Sequence, residues 1–291
     1  MMTVDVDALT KSLTFRQRTW IAFRRNKPAF CSAVFLAILF VLAILIPFLT
    51  PYTYYDIDLS SKNSAPSFKH WFGTDDLGRD VFTRIWYGAR ISLFIGITAA
   101  LIDLVIGILW GGIAALSGGK IGRTMMRLTD VMSSIPSLLI IICIMMVAGP
   151  GLHTIIIALS IFGWITMARI VRGQFLQLKE QGYVLAARSL GASYWRILFY
   201  HLLPNASGPI IVTLTLTVPS AIFAEAFLSY LGLGVQAPIA SWGVMANEGL
   251  PALEYYPWRL FFPTSFISAT MLAFNMLGDG LSDAFSTASR N

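Results

Sequence analysis

The 291-residue chain is short of charge, since only 12% of its residues are Asp, Glu, Lys or Arg, whereas soluble domains carry about 25%. Together with a hydrophobic content of 56%, this shortage indicates an integral membrane protein rather than a soluble one. Cysteine is also scarce. Cys31 and Cys143 both lie in apolar runs, which argues against a disulfide framework.

Residues that carry chemistry are equally sparse. His70, His153 and His201 are far apart, and no spacing in the sequence is typical of a metal site. The sequence contains no Gly-x-x-x-x-Gly-Lys-Ser/Thr motif, which excludes ATP binding through a P-loop, and no arrangement of residues suggests catalysis. We therefore expect no enzymatic activity, metal or cofactor in this chain. If it serves active transport, the energy must come from another polypeptide.

Apolar runs dominate the rest of the chain. A helix needs about 20 apolar residues to cross the hydrocarbon core, and the backbone in lipid must satisfy its own hydrogen bonds. The sequence thus predicts an all-α fold with six membrane spans, at Ala29–Leu49, Ile91–Leu116, Val131–Ala148, His153–Val171, Pro209–Leu231 and Leu260–Phe285. The first run lacks a cleavage site and is expected to be retained as a span.

Basic residues predict the orientation of the spans. Six of them precede the first run, and most others fall in the loops after the second and fourth runs. Cytoplasmic loops carry such an excess, so both termini are predicted to be cytoplasmic. The net charge of +6 would also suit a nucleic-acid partner, but these residues lie in loops between spans and not on one soluble face. No nucleic acid is expected.

These features divide the chain into three parts. Residues 1–28 form a basic cytoplasmic tail whose interleaved apolar residues predict an amphipathic helix on membrane lipid, with a solvated tail as the alternative. Residues 29–90 hold the first span and an extracytoplasmic segment. Residues 91–291 form a core of five spans with a cytoplasmic loop at 173–205.

The loop at 173–205 is too long, ordered and basic for a simple connector. Its part from Tyr183 to Asn205 reads YVLAARSLGASYWRILFYHLLPN. Small residues would let a short helix enter a groove on a partner. Gly191 is expected to turn that helix, and Pro204 to open the next one. The aromatic and apolar anchors expected to face the partner are Tyr183, Leu190, Tyr194 and Trp195. The alternative is a loop packed on its own bundle.

This segment resembles the coupling loop of binding-protein-dependent ABC importers, in which Glu-Ala-Ala is followed by a Gly four residues later and then by Leu-Pro. The resemblance implies that this loop couples the chain to an ATPase. The residues concerned are Tyr183, Leu185, Ala186, Ala187, Arg188, Gly191, Ala192, Leu203 and Pro204. Leu185 stands where the pattern has Glu. The contact is therefore expected to be more apolar, or its polar part to be carried by Glu180 or Arg188.

Three further segments resemble one subfamily of these importers. They are HWFGTDDLGRDVFTRIWYGARISL from His70, EAFLSYLGLGVQAPIASWGVM from Glu225, and LGDGLSDAF from Leu277. In the first, the many charges are expected to pair among themselves, and Thr74 or Asp75 to cap a helix. We favour a structural role for it over a role in receiving substrate. The chain resembles the C-type permease subunit of oligopeptide, dipeptide and nickel importers, although the usual final Asp-Pro is absent.

Ionisable residues within the spans are rare and often mark a pathway. Asp103 and Glu225 are candidates for the translocation path or for polar contacts between helices, and Asp279 for a helix-end contact. Gly107 and Gly111 form a small-xxx-small pair that predicts close helix packing.

The resemblance implies the type I ABC importer permease fold in a bacterial inner membrane. The expected partners are a second homologous permease in a heterodimer, two ABC ATPases that hold ATP and Mg, and an extracytoplasmic substrate-binding protein. Peptides are the expected substrate, with nickel or another small solute as the alternative. A secondary transporter would predict inverted repeats and midplane charges, and a membrane enzyme would predict clustered catalytic residues. Neither pattern stands out.

Overall fold

The computed structural model describes residues 14–290, without the side chains of residues 16 and 288–290. Residues 1–13 of the predicted tail, with Lys11, lie outside this range. The structure is all-helical. Its helices are α1 (Phe15–Arg25), α2 (Lys27–Leu49), α3 (Val81–Ser117), α4 (Gly119–Ser134), α5 (Ser137–Ala148), α6 (Leu152–Leu178), α7 (Gly182–Ser189), α8 (residues 194–205), α9 (Ser207–Tyr230), α10 (Trp242–Gly249) and α11 (Trp258–Arg290).

Within residues 14–290, five helices are long and apolar enough to cross a membrane: α2, α3, α6, α9 and Trp258–Thr287 of α11. The third predicted span, Val131–Ala148, is wrong as a single straight helix, because it crosses a break between α4 and α5. These two helices meet at a 77° bend, and they provide a sixth span only if taken together. The bend falls at Pro136, which has no backbone N–H to continue α4.

Two other predicted spans are too short: one begins too late and the other ends too early. α3 starts at Val81, ten residues before the predicted Ile91, because Asp80 caps it and accepts from the backbone N–H of Thr83 at 2.8 Å. The predicted caps Thr74 and Asp75 are therefore wrong. α6 continues to Leu178, so the predicted loop at 173–205 really begins near Lys179.

Helix α3 is central to the bundle and packs along α6 and α9. A Cβ at Gly107 would clash with Met167, and a Cβ at Gly111 would clash with the carbonyl of Ala168. The predicted close approach at this glycine pair is thus confirmed. Because α3 is one long helix, its two ends mark opposite ends of the molecule.

The end near Ser117 of α3 carries α1, α7, α8 and the end of α11, and we call it the N-terminal end of the molecule because α1 lies there. There Phe15 of α1 stacks on Phe285 of α11 with ring centroids 6.3 Å apart. Trp20 and Ile21 are about half exposed, and the Arg24 guanidinium lies 5.0 Å from the Trp20 ring. The predicted helix in the tail is confirmed, whereas its place on membrane lipid stays a prediction.

The opposite end carries residues 50–80 and α10. Phe72 of this segment stacks on Phe262 of α11 with ring centroids 3.9 Å apart. Trp242 of α10 is fully buried, and its indole N–H donates to the carbonyl of Ile85 at 3.0 Å. We call this the α10 end of the molecule.

Candidate functional site

The predicted coupling segment forms a helical hairpin, α7 and α8, at the N-terminal end. α7 ends in two hydrogen bonds: the N–H of Ala192 donates to the carbonyl of Ala187, and the N–H of Gly191 to that of Arg188, both at 3.0 Å. These bonds define a Schellman motif, which requires a left-handed residue. Gly191 supplies it with a φ of +79°. The predicted turn at Gly191 is confirmed, and its physical cause is backbone conformation.

The hairpin is anchored to the bundle from one side. Val184 of α7 is fully buried in a cluster with Phe175, Leu198 and Leu202. The Tyr194 hydroxyl donates to the carbonyl of Ile113 on α3 at 3.2 Å. α8 is a continuous run in which the π-helix Ile197–Leu202 lies between two short α-helical pieces. Close-packed side chains thus join the hairpin to α3 and α6.

The other side of the hairpin faces outward. Leu190 at its tip is 88% exposed, an unusual position for a large apolar residue. Tyr183, Leu185 and Trp195 are each about half exposed, and the side chain of Arg188 is exposed. Of the remaining predicted residues, Ala186, Gly191 and Pro204 are exposed, and Ala187, Ala192 and Leu203 are half-buried.

The predicted segment differs from the structure in two details. Tyr194 does not face a partner, because its ring packs in the cluster below α7 and its hydroxyl bonds to α3. Pro204 lies in the first turn of the short α-helical piece Leu203–Asn205, where a helix-opening proline was expected. That piece belongs to α8, however, and the next span, α9, begins at Ser207.

At the α10 end, the charges of the motif that begins at His70 form a buried network. Asp75 accepts hydrogen bonds from Arg84 and, at 2.7 Å, from Nε of Arg79. Glu248 of α10 contacts the same two arginines, at 3.0 Å from Arg84 and 3.3 Å from Arg79. Arg259 of α11 extends the network to Asp76 at 3.1 Å. The predicted pairing of these charges among themselves is confirmed for Asp75 with Arg79 and Arg84. The others have different partners: Asp76 pairs with Arg259 outside the motif, Asp80 contacts His70 at 2.9 Å, and Arg90 donates to the carbonyls of Ala43 and Ile44.

Electrostatics favour the ionised form of Asp75 within this network. Burial alone would raise the pKa of its carboxyl, but the adjacent Arg84 and Arg79 outweigh burial and hold the pKa below its ordinary value. The network joins the segment of residues 50–80 to α3, α10 and α11. It therefore has the geometry of a structural clamp.

Glu225 is a fully buried carboxylate on α9. It accepts hydrogen bonds from the hydroxyls of Ser241 (2.7 Å), Ser229 (2.8 Å) and Ser92 (3.1 Å). Ser92 lies on α3, and Ser241 caps α10. The side chain thus bridges three elements.

Asp103 on α3 has a different environment. It is only 3% exposed, and its Oδ1 has no hydrogen-bond partner within residues 14–290. The residue lines a cavity of about 590 Å³ between α3, α5, α6 and α9. Its carboxyl packs directly on α6 at Gly163, where a Cβ would clash with it. The sequence predicted that Asp103 lies within a span, but no pattern indicated that it lacks a partner.

In the part of the chain that the structure describes, no three His, Cys, Asp or Glu residues lie close enough together to hold a metal ion. What the fold defines is a multi-pass membrane protein with an outward-facing helical hairpin at one end and a cavity within its bundle.

The comparisons with known proteins identify the class more closely. Residues 104–291 match the family described as binding-protein-dependent transport system inner membrane component, and residues 14–66 match the N-terminal transmembrane domain of oligopeptide transport permease C. The first match covers more than half of the chain, and the chain belongs to this family.

Individual relatives agree. The chain is 57% identical over 274 residues to the oligopeptide transport system permease protein OppC of Bacillus subtilis. This alignment covers 94% of the chain and 90% of the relative. It is also 57% identical over 274 residues to the dipeptide transport system permease protein DppC of the same organism, in an alignment that covers 94% of this chain and 86% of the relative. OppC of Escherichia coli K12 is 40% identical over 270 residues, with 92% and 89% covered.

A solved structure shows the same fold. An inward-facing form of the MetNI methionine ABC transporter superimposes with a TM-score of 0.57 at 19% identity. The match covers 68% of this chain and 94% of that one. The fold is therefore similar to that of a type I ABC importer permease.

Proposed function

We propose that this chain is the permease subunit of an ATP-driven importer of oligopeptides or dipeptides. It would form the translocation path with a second, homologous permease and receive its substrate from an extracytoplasmic binding protein. Two ABC ATPases would supply the energy and hold ATP and Mg. The 57% identity to two peptide permeases over 94% of the chain carries the substrate class.

The α7–α8 hairpin carries the proposed coupling. It presents Leu190, Leu185 and Tyr183 outward, while Val184 is fully buried beneath it. Exposed apolar and aromatic side chains that surround a firmly anchored helix are typical of a docking surface. In this arrangement, closure of the ATPases would move α7 and, through the buried cluster, α3 and α6. The N-terminal end is then cytoplasmic, in agreement with the distribution of basic residues.

Leu185 replaces the Glu of the pattern that the coupling loop resembles. It is 45% exposed on α7, and Glu180 lies 3.9 Å from Lys179 in an exposed pair. The exposed Arg188 is the charged residue on the outward face of α7. The contact with the ATPase would therefore combine apolar burial with one basic group.

Co-purification and uptake together test the proposal. The tagged chain is expressed with its genomic neighbours, purified in mild detergent, and its companions are identified by mass spectrometry. Leu190→Asp should lose the ATPases and keep the second permease. Leu253→Asp is the matched control, because Leu253 is an exposed leucine near α10. The reconstituted wild-type complex should take up peptides with ATP. Recovery of the folded chain alone, or uptake of nickel and not of peptides, would contradict the proposal.

A further inference from the structure

The three hydroxyls that α9 contributes to the cavity beside Asp103 have the same hydrogen-bonding character. Thr213, Thr217 and Ser220 of α9 line it, and each hydroxyl donates its proton to the carbonyl four residues earlier, at 2.8, 2.9 and 3.1 Å. A hydroxyl has a single proton to donate. These three oxygens therefore have only acceptor capacity left for the cavity.

The charge of the residues that line the cavity also favours a positively charged ligand. Asp103 is the only charged side chain among the described residues that line the cavity, and none of them is basic. Asp103 is only 3% exposed, and its Oδ1 has no hydrogen-bond partner among the described residues. A buried carboxylate in this state is energetically costly and normally has a compensating group. Glu225, with its three serine donors, shows how the same fold satisfies a carboxylate that serves structure.

We infer that this cavity is a subsite for the cationic groups of the transported peptide, with Asp103 as the residue that recognises an ammonium or guanidinium group. This inference rests on the proposed function and adds a charge preference to it. The acceptor oxygens of α9 complement the N–H groups of such a peptide, and Asp103 supplies the counter-charge. Gly163 of α6 makes space for the carboxyl beside the cavity, because a Cβ at that position would clash with it.

Two otherwise matched tripeptides test the inference, Ala-Lys-Ala and Ala-Glu-Ala. Uptake of each is measured in proteoliposomes that contain the complete importer and saturating binding protein. Asp103→Asn keeps the size of the side chain and removes its charge. It should lower the ratio of lysine-peptide to glutamate-peptide uptake about tenfold, which corresponds to 1.4 kcal/mol.

Two further variants separate charge recognition from folding. Thr166→Lys places a positive charge on the cavity wall without altering Asp103. Thr166 is exposed, so the variant should fold, and it should also lower the ratio. Asp279→Asn neutralises an exposed carboxylate of α11 that does not line the cavity, and should leave the ratio unchanged.

The outcomes are distinct. A ratio that stays constant in Asp103→Asn and in Thr166→Lys, whether or not both rates fall, would overturn the inference and leave the importer intact. A wild-type complex that takes up neither peptide would refute the proposed function and the inference with it. If Asp103→Asn fails to assemble, the ratio in Thr166→Lys decides.

Discussion

The buried ion network at the α10 end allows a quantitative prediction of how much Asp75 contributes to the free energy of unfolding. The side chains of Asp75 and Arg84 are 5% and 2% exposed, and Asp75 is bonded to both Arg84 and Arg79. Removing one partner of a buried pair costs about 3–5 kcal/mol, because the other charge is left uncompensated. Glu248 stays in contact with both arginines, so we expect the lower limit, about 3 kcal/mol, for Asp75→Asn.

Thermal unfolding of the purified chain in detergent, followed by tryptophan fluorescence, measures this cost. Trp258 is a suitable reporter, because its indole N–H donates to the carbonyl of Thr74 at 3.3 Å, next to Asp75. A loss of about 3 kcal/mol should lower the midpoint by roughly 6–12 °C. The control is Asp130→Asn, whose ion pair with Arg169 at 3.0 Å is exposed and worth at most about 1 kcal/mol.

A double variant and a pH series sharpen the test. Asp75→Asn combined with Arg84→Gln should cost less than the sum of the two single variants, because each single change already breaks the pair. The pKa of Asp75 is lowered in the fold. Its stabilisation is therefore complete above its ordinary pKa of 3.8 and is lost as the pH falls through the lower folded pKa. Equal midpoints for Asp75→Asn and Asp130→Asn at pH 7 would refute the reasoning.

Three other substitutions follow from local geometry. Gly191→Ala should lower the free energy of unfolding by about 1–2 kcal/mol, because a residue with a Cβ is strained at φ +79° even though the space around it is open. Gly182→Ala is the control, since Gly182 also has open space but an ordinary φ. The thermal midpoints of the two variants measure the difference. Gly111→Ala should destabilise the chain by about 1–3 kcal/mol, because its Cβ meets the backbone of Ala168; Gly173→Ala, with no atom within 4 Å, should be neutral or stabilising. Leu185→Glu should keep the ATPases bound on co-purification, because Leu185 is exposed and the position accepts Glu in the pattern that this loop resembles. Loss of the ATPases would show an apolar groove shaped for Leu.

Hydropathy predicted most of the bundle, because a membrane span is recognisable in the sequence as a long apolar run. It misjudged α3 because the first turns of that helix carry Arg84, which a hydropathy pattern assigns to solvent. The fold instead buries Arg84 by pairing it with Asp75. It misjudged the third span because apolar character continues across Pro136, although the proline itself was a readable signal.

Spacing predicted the hairpin turn at Gly191 because a Schellman motif is local in sequence. The inward direction of Tyr194 was not predictable, because it depends on a contact with Ile113, 81 residues away. The surroundings of the two buried carboxylates were likewise not predictable from the sequence. Sequence identified Asp103 and Glu225 as rare charges within spans. Only the three-dimensional arrangement separates Glu225, which accepts hydrogen bonds from serines, from Asp103, whose Oδ1 has no partner within residues 14–290.

The central claim is that the α7–α8 hairpin docks on the ATPase from the cytoplasmic side. A photo-crosslinking amino acid placed at position 190, and in a parallel strain at position 253, tests it in intact membranes. We expect an adduct with a P-loop ATPase from position 190 and none from position 253. An ATPase adduct from position 253 would place the α10 end on the cytoplasmic side instead. The absence of an ATPase adduct from position 190 in an actively transporting complex would show that the hairpin does not dock on the ATPase.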